Sequence, residues 1–133
     1  LSTCNRSEVY FFTPVVANEV ELDSTEWDSV YEGGRNGIMG SPVGTQLFDK
    51  YLPVTVGGKS GTAEENKNRG SHANYITWAP YSNADVAVAV MIPNGYAAVN
   101  AGIMSFYALS AYYDSYIPSN VYASVEGGLT IIE

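Results

Sequence analysis

The sequence predicts an α/β chain in the α+β arrangement, an antiparallel sheet with flanking and C-terminal helices, and three observations predict it. Three β-rich runs, Val54 to Glu64, Ala73 to Ala79 and Val86 to Ile92, follow one another with only short turn-forming segments between them, the pattern of hairpins. Two helix starts precede them, and an apolar stripe at helical spacing follows them. With 133 residues, 46% hydrophobic and 13% aromatic, there is material for one domain and its core.

Each element has its own warrant. Pro14 to Leu22 carries Val15, Val16 and Val20 and reads as a short strand or an extended entry. Asp23 and Ser24 then offer N-caps for a helix bearing Trp27, Val30 and Tyr31 on one face, with Gly33 and Gly34 as its end. Ser41-Pro42 is a second start, serine as cap and proline at the first helical position, for a short helix to about Tyr51 that stops before Pro53. The first two strands are joined by the polar Asn66 to Ser71 and the next two by Ser82 to Asp85, a tight-turn candidate. The third run is apolar on both alternating faces (Val86, Val88, Val90 and Ile92 against Ala87, Ala89 and Met91), so it is expected at the sheet centre, covered on both sides. Asn94-Gly95 breaks it. A helix from about Ala98 to Tyr113 places Val99, Ile103, Phe106 and Ser110 on one stripe that can close over the sheet. Residues 119–133 read as a loosely docked tail without an assigned role.

Charge narrows the function. Fourteen acidic against six basic residues give a net charge of -8, which argues against nucleic acid, whose partners need clustered cations. Cys4 is a lone cysteine and forms no internal disulfide. There is no signal peptide and no apolar run of membrane-spanning length. No cofactor is called for, and His72, the only histidine, has no Cys or His partner at ligand spacing and is read as positioning the strand after the hairpin, with no metal site.

Three of the six cations, Lys59, Lys67 and Arg69, fall within the eleven residues from Lys59 to Arg69, in a run that opens with Gly57-Gly58-Lys59-Ser60-Gly61-Thr62-Ala63-Glu64. A strand edge with small residues, hydroxyl donors and one fixed cation suits an extended peptide ending in a carboxylate: backbone groups pair with the peptide, and the cation and hydroxyls hold its terminus. A phosphate-binding loop is the competing reading of Gly-Gly-Lys-Ser. It fails because no glycine stands five positions before Gly58 and a strand follows in place of a helix.

The same residues resemble a known family. Lys59-Ser60-Gly61 followed by Thr62-Ala63-Glu64 is similar to the Lys-Thr/Ser-Gly motif of serine penicillin-binding proteins and β-lactamases. The flanks resemble class B transpeptidases: Trp27-x-x-Val30-x-x-Gly33-x-Arg35 and Gly44-Thr45-x-x-x-Phe48 before the motif, and His72-Ala73-Asn74-Tyr75-Ile76-x-x-Ala79-Pro80 and Asp85 to Gly95 after it. The resemblance runs from about Pro14 to the helix near Tyr113. It departs from the family at Asn74, where tryptophan is frequent, and at Trp78, where tyrosine is. None of the thirteen serines has a lysine three positions later, so the family's Ser-x-x-Lys nucleophile is not in this sequence. Ser2-Thr3-Cys4 resembles a rare form of the family's second motif but stands closer to Lys59 than the family allows, and otherwise reads as a flexible terminus.

The resemblance implies the C-terminal portion of a transpeptidase domain over residues 1–133, the sheet part of a β-lactamase/transpeptidase-like fold. The rest of the domain would come from a missing N-terminal part, possibly a separate chain; Leu1 in place of an initiating methionine suggests a cleaved or split product. It further implies a D,D-transpeptidase that cross-links peptidoglycan through a serine acyl-enzyme, with this chain alone inactive. Its ligands would be the D-Ala-D-Ala end of a stem peptide and β-lactams, met at the extracytoplasmic face of a bacterial membrane. Lys59 would bind the terminal carboxylate and bias proton transfer, Ser60 and Thr62 would add hydroxyls, the backbone amide of Thr62 would form half of an oxyanion hole, and Gly61 would let the ligand approach. A non-catalytic penicillin sensor or peptidoglycan-binding domain, a D,D-carboxypeptidase and a β-lactamase would share this strand. Arg35 reads as a lock between helix and sheet, and Glu64, Glu65 and Asp85 as solvated or paired with Lys67 and Arg69. On an ideal pleat Lys59 and Gly61 share one face and Ser60 and Thr62 the other, a tension expected to be resolved by twist at the edge.

Overall fold

The computed structural model describes residues 15–123 and 128–132. Ser2-Thr3-Cys4 and Pro14 lie outside the described residues. Among the described residues, 15–23 form no helix or strand, and Val15, Val16 and Val20 are exposed; the short strand is not observed there.

Helix α1 spans Ser24–Met39. Asp23 caps it through a reciprocal pair of bonds, Glu26 N–H to Asp23 Oδ1 and Asp23 N–H to Glu26 Oε2, both 2.9 Å, which satisfies two of the donors every helix leaves free at its start. The expected stop at Gly33-Gly34 is overturned: the helix continues to Met39 and is capped by Gly40. Gly34 is a packing residue, because a Cβ there would lie inside the Trp78 ring, and one at Gly37 would meet Gly58 O at 3.0 Å. Trp27 and Tyr31 stack at 5.8 Å on the exposed stretch of the helix, while Gly34 and Ile38 are its buried residues. The core-facing part is thus one turn further along than the aromatic residues suggest.

Ser41 opens the next helical stretch as expected, its Oγ accepting the Val43 N–H at 3.3 Å. The path then widens into a π-helical turn, Gly44–Phe48, closed by Asp49 N–H to Gly44 O, before the short α2, Asp49–Tyr51. Gly44 is pressed against the Ile38 backbone, where no side chain fits. This brings Leu47 and Phe48 fully into the core.

Three strands form an antiparallel sheet in the order β1-β2-β3: β1 Gly57–Ala63, β2 His72–Ala79 and β3 Val86–Ile92. The register pairs Lys59 with Ile76, Ser60 with Tyr75, Gly61 with Asn74 and Thr62 with Ala73. The expectation of β3 at the sheet centre is corrected. Two successive hairpins necessarily put the middle strand between the others, so among the described residues β2 is central and β3 lies at the edge. Val86, Val88, Val90 and Ile92 are half-buried, whereas Ala87, Ala89 and Met91 are exposed. The apolar run states a demand for burial that the described residues meet on one face only.

Helix α3, Ala98–Tyr112, provides that cover. Val99, Ile103, Phe106 and Ser110 are all buried as their spacing predicts, and Phe106 packs with Phe48 and Tyr51 at 6.2 and 6.1 Å between ring centroids. Full burial of one such side chain contributes about 1.5–3 kcal/mol. Between β2 and α3 the hydroxyls of Thr77 and Ser105, both fully buried, bond at 2.6 Å. Where no element was expected, in 119–133, β4 (Asn120–Ala123) and β5 (Leu129–Ile132) form an antiparallel hairpin. Val121, Leu129 and Ile131 pack against the core, an alternation too short to stand out in the sequence. Among the described residues no helix is long and apolar enough to cross a membrane.

Candidate functional site

The edge of β1 away from β2, which pairs with no strand among the described residues, carries the residues singled out in the sequence, and α1 divides that edge in two. Its first half is closed. Gly57 and Gly58 are buried; a Cβ at Gly57 would meet the Trp78 indole at 2.6 Å, and hypothetical Cβ atoms on Gly34 and Gly37 would lie 3.4 Å from Gly58 N and 3.0 Å from Gly58 O. Four glycines and an indole therefore let the helix lie directly on the strand. Trp78 is fixed in turn by its Nε1–H donating to Tyr81 O at 3.0 Å.

The contacts of Gly58 also orient the second half. Its N and O lie against α1, 3.4 and 3.0 Å from where Cβ atoms of Gly34 and Gly37 would stand, from which we infer that they turn away from β2, and the direction of peptide groups alternates along an antiparallel strand. The N–H and C=O of Ser60 and Thr62 therefore point to the same free side. Consistently, the Lys59 ammonium reaches Ser60 O at 2.6 Å. Lys59 and Thr62 are exposed and Ser60 and Gly61 half-buried. Among the described residues Lys59 has no ion-pair partner.

The register stays regular through Ala63, so twist does not merge the two faces. Lys59 and Gly61 lie on the face of Ile76 and Asn74, and Ser60 and Thr62 on the face of Tyr75 and Ala73. A ligand in the plane of the sheet is flanked by both faces, which disposes of the difficulty. A Cβ at Gly61 would lie 3.5 Å from Asn74 Cβ, an ordinary contact. Tyr75, opposite Ser60, is fully buried, and desolvation pushes its hydroxyl pKa above the ordinary value, with Ser41 offsetting part of the rise.

The surroundings hold the strand rigid. Arg35 donates to Val56 O at 3.3 Å and to Asp49 Oδ2 at 2.8 Å, tying α1 to the segment entering β1 and to α2, the locking role its position suggests. His72 accepts the Asn94 N–H at Nδ1, 3.0 Å, which leaves Nε2 to donate to Glu65 Oε2 at 3.1 Å. The one histidine joins the β1–β2 loop to the turn before α3, and Glu65 has it as partner where a loop cation was expected. Among the described residues no group of His, Cys, Asp or Glu is placed to hold a metal ion.

Two supporting features escaped the sequence reading. The Gly34-x-x-Gly37 spacing on one helix face was the available signal for close helix–strand packing, hidden by reading Gly33-Gly34 as a terminator. The second is a polar cleft beyond β1, lined by Glu64, Lys67, Arg69 and Tyr96 among others, which depends on a turn distant in sequence.

Compared with known families, residues 35–107 match the penicillin binding protein transpeptidase domain. That stretch is more than half of the chain and includes the C-terminal part of α1, the whole three-stranded sheet and most of α3. Neither the curated proteins nor the solved structures gave a match.

Proposed function

The chain belongs to the penicillin binding protein transpeptidase domain family, and from that premise we propose that it supplies the carboxylate-binding strand of a D,D-transpeptidase acting on peptidoglycan stem peptides. The observation that carries the reading is the open half of the β1 edge. It joins the Lys59 ammonium, which has no ion-pair partner among the described residues, two hydroxyls and the Thr62 peptide group inferred to face outward.

In this reading a stem peptide ending in D-Ala-D-Ala adds to the β1 edge as an extra strand. Its terminal carboxylate lies by Lys59, reached by the ammonium from one face and by the Ser60 and Thr62 hydroxyls from the other. The carbonyl of the penultimate residue lies at the Thr62 N–H. A serine outside this chain attacks that carbonyl. Its proton passes to the departing amine of the terminal D-alanine, and the acyl group stays on the serine as an ester. The transient oxyanion is held by the Thr62 N–H and a second donor outside the chain; one such donor is worth about 3 kcal/mol of barrier. The amine of a second stem peptide then attacks the ester, forming the cross-link and releasing the serine. A β-lactam enters by the same carboxylate contact and stops at the acyl stage. The site of action is the extracytoplasmic face of the bacterial membrane, where the peptidoglycan substrate lies.

The test is denaturing intact-mass analysis of the parent protein before and after exposure to a penicillin. The drug's mass is expected on a serine outside residues 1–133. An adduct within those residues, or none on the intact parent, overturns the proposal.

A further inference from the structure

The last rung of the β1–β2 ladder is held by a side chain that can take up a proton. His72 opens β2, and its partner on β1 is Ala63, the final paired residue and the one that follows Thr62. Its imidazole is 23% exposed and is engaged at both nitrogens. Nδ1 accepts the Asn94 N–H at 3.0 Å, and Nε2 lies 3.1 Å from Glu65 Oε2. A peptide N–H can only donate, so Nδ1 is bare and the proton of the neutral ring stands on Nε2.

The ring thereby ties together two segments that lie apart in sequence. One is the β1–β2 loop, reached through Glu65. The other is the turn between β3 and α3, where Asn94 has φ 53° and Tyr96 φ 65°, left-handed conformations that cost a bulky residue energy. Consecutive residues hold that turn: Ser71 O accepts the Tyr96 N–H at 2.9 Å, and the His72 ring accepts the Asn94 N–H. The end of the ladder and the strained turn brace each other.

Protonation alters this brace in a definite direction. An imidazolium donates from both nitrogens, so it keeps the bond to Glu65 and loses the one to Asn94, setting one N–H against another. The Glu65 side chain is 67% exposed, and so solvated a pair gains little in return. The surrounding groups are few in kind. The β1–β2 loop brings Glu64, Glu65, Lys67 and Arg69, the turn brings Tyr96, and β1 brings Lys59, four rungs from Ala63. On β2 the Asn74 side chain donates to His72 O at 3.4 Å, β3 has no titratable residue, and α3 has only Tyr107 and Tyr112. Of these side-chain types only histidine ordinarily changes charge between pH 5 and 8.

We propose that His72 is a positioning residue for acylation: as the neutral Nε2–H tautomer it fixes the end of β1, and with it the Thr62 N–H, and its protonation releases that end and gives the reaction an acidic limb. This rests on the oxyanion role of Thr62 proposed above. Thr62 is one residue from the last rung, whereas Lys59 pairs deeper in the ladder, with Ile76. Loss of the brace therefore lowers the limiting acylation rate and leaves the penicillin concentration for half-maximal rate in place.

The experiment measures acylation of the full-length protein by benzylpenicillin from pH 5.5 to 8.5, for the native protein, His72→Asn and His72→Phe. Asparagine offers an acceptor oxygen near the Nδ1 position and takes up no proton. The ratio of native to variant rates cancels the titration of groups outside this chain. Between pH 8 and 5.5 the native protein is expected to lose about three- to tenfold in limiting rate relative to His72→Asn, the worth of one hydrogen bond. His72→Phe should be slow at every pH. A native to His72→Asn ratio that stays flat with pH overturns the proposal. Hydrogen exchange of the native protein, corrected for intrinsic rates, gives a second readout that needs no variant: residues 61–64 and 93–96 should lose protection on acidification. Unchanged protection refutes the hold itself. Protection lost while the rate ratio stays flat means instead that the hold exists and the reading of Thr62 as oxyanion donor fails.

Discussion

Replacing Lys59 with methionine separates a functional lysine from a structural one. In the fold Lys59 is exposed, has no ion-pair partner among the described residues, and makes one bond to the carbonyl of its own strand neighbour. Its stem approaches Gly37, the Cδ lying 3.9 Å from where a Cβ of that glycine would stand, and methionine keeps most of that aliphatic contact. The stability change should therefore stay within about 0.5 kcal/mol, as for other surface substitutions, a shift in Tm of no more than about 2 °C. Function should respond differently. A hydrogen bond to a charged group contributes about 1.5–3 kcal/mol, so loss of the ammonium should slow acylation of the complete domain by benzylpenicillin by roughly 10- to 150-fold. Lys59→Arg, which keeps the charge, should restore part of the rate. The assay is the second-order acylation rate with thermal unfolding in parallel. A Tm lowered by several degrees would make Lys59 a structural residue, and a rate loss below threefold would remove it from the carboxylate site.

Other substitutions test the frame. A Cβ at Gly58 would overlap Ile76 O and approach Ile38 Cδ1 to 2.9 Å, and such overpacking costs about 1–3 kcal/mol, so Gly58→Ala should lower the Tm by several degrees in thermal unfolding, whereas Gly61→Ala should leave it unchanged. Thr77→Val leaves the buried Ser105 hydroxyl without its 2.6 Å partner and should cost about 1–3 kcal/mol in denaturant unfolding; adding Ser105→Ala should cost less than the separate effects predict. Arg35→Met strips Val56 O and Asp49 of a partly buried donor and should destabilise by about 1–2 kcal/mol. An unchanged Tm there would remove Arg35 as the lock between α1 and the sheet.

What could be read from the sequence follows the range over which each signal acts. The Asp23 cap, the Ser41-Pro42 start, the three strands and the buried stripe of α3 are encoded within a few residues, and the structure places each of them close to where those signals put them. The errors arose where a local sign had a tertiary cause. Gly33-Gly34 looked like a helix end, but the indole of Trp78, far away in sequence, occupies the space a side chain at Gly34 would need. The doubly apolar β3 looked central because composition records a need for burial without recording its order in the sheet. The Lys59 to Thr62 stretch was legible because residue types alone mark it. Its orientation was not, since that depends on which side of Gly58 faces α1.

That last dependence explains the composition of β1. An edge strand exposes a row of unpaired peptide groups and invites unwanted pairing. Here α1 covers the first part of the row, and it can do so only because Gly34, Gly37, Gly57 and Gly58 give up their side chains at the contact. The row then emerges at Ser60 and Thr62, where, in the proposed reading, a cation and two hydroxyls receive a carboxylate-ended strand. Had α1 ended at Gly33, all of the edge would lie open and nothing would fix where a peptide begins to pair. With the helix in place, the proposed pairing would start just after its last contact, beside Lys59. The glycines that make the packing close therefore also set the register of the proposed ligand, and enlarging Gly37, whose Cβ would press on Gly58 O at 3.0 Å, should disturb carboxylate binding without touching a residue of the site.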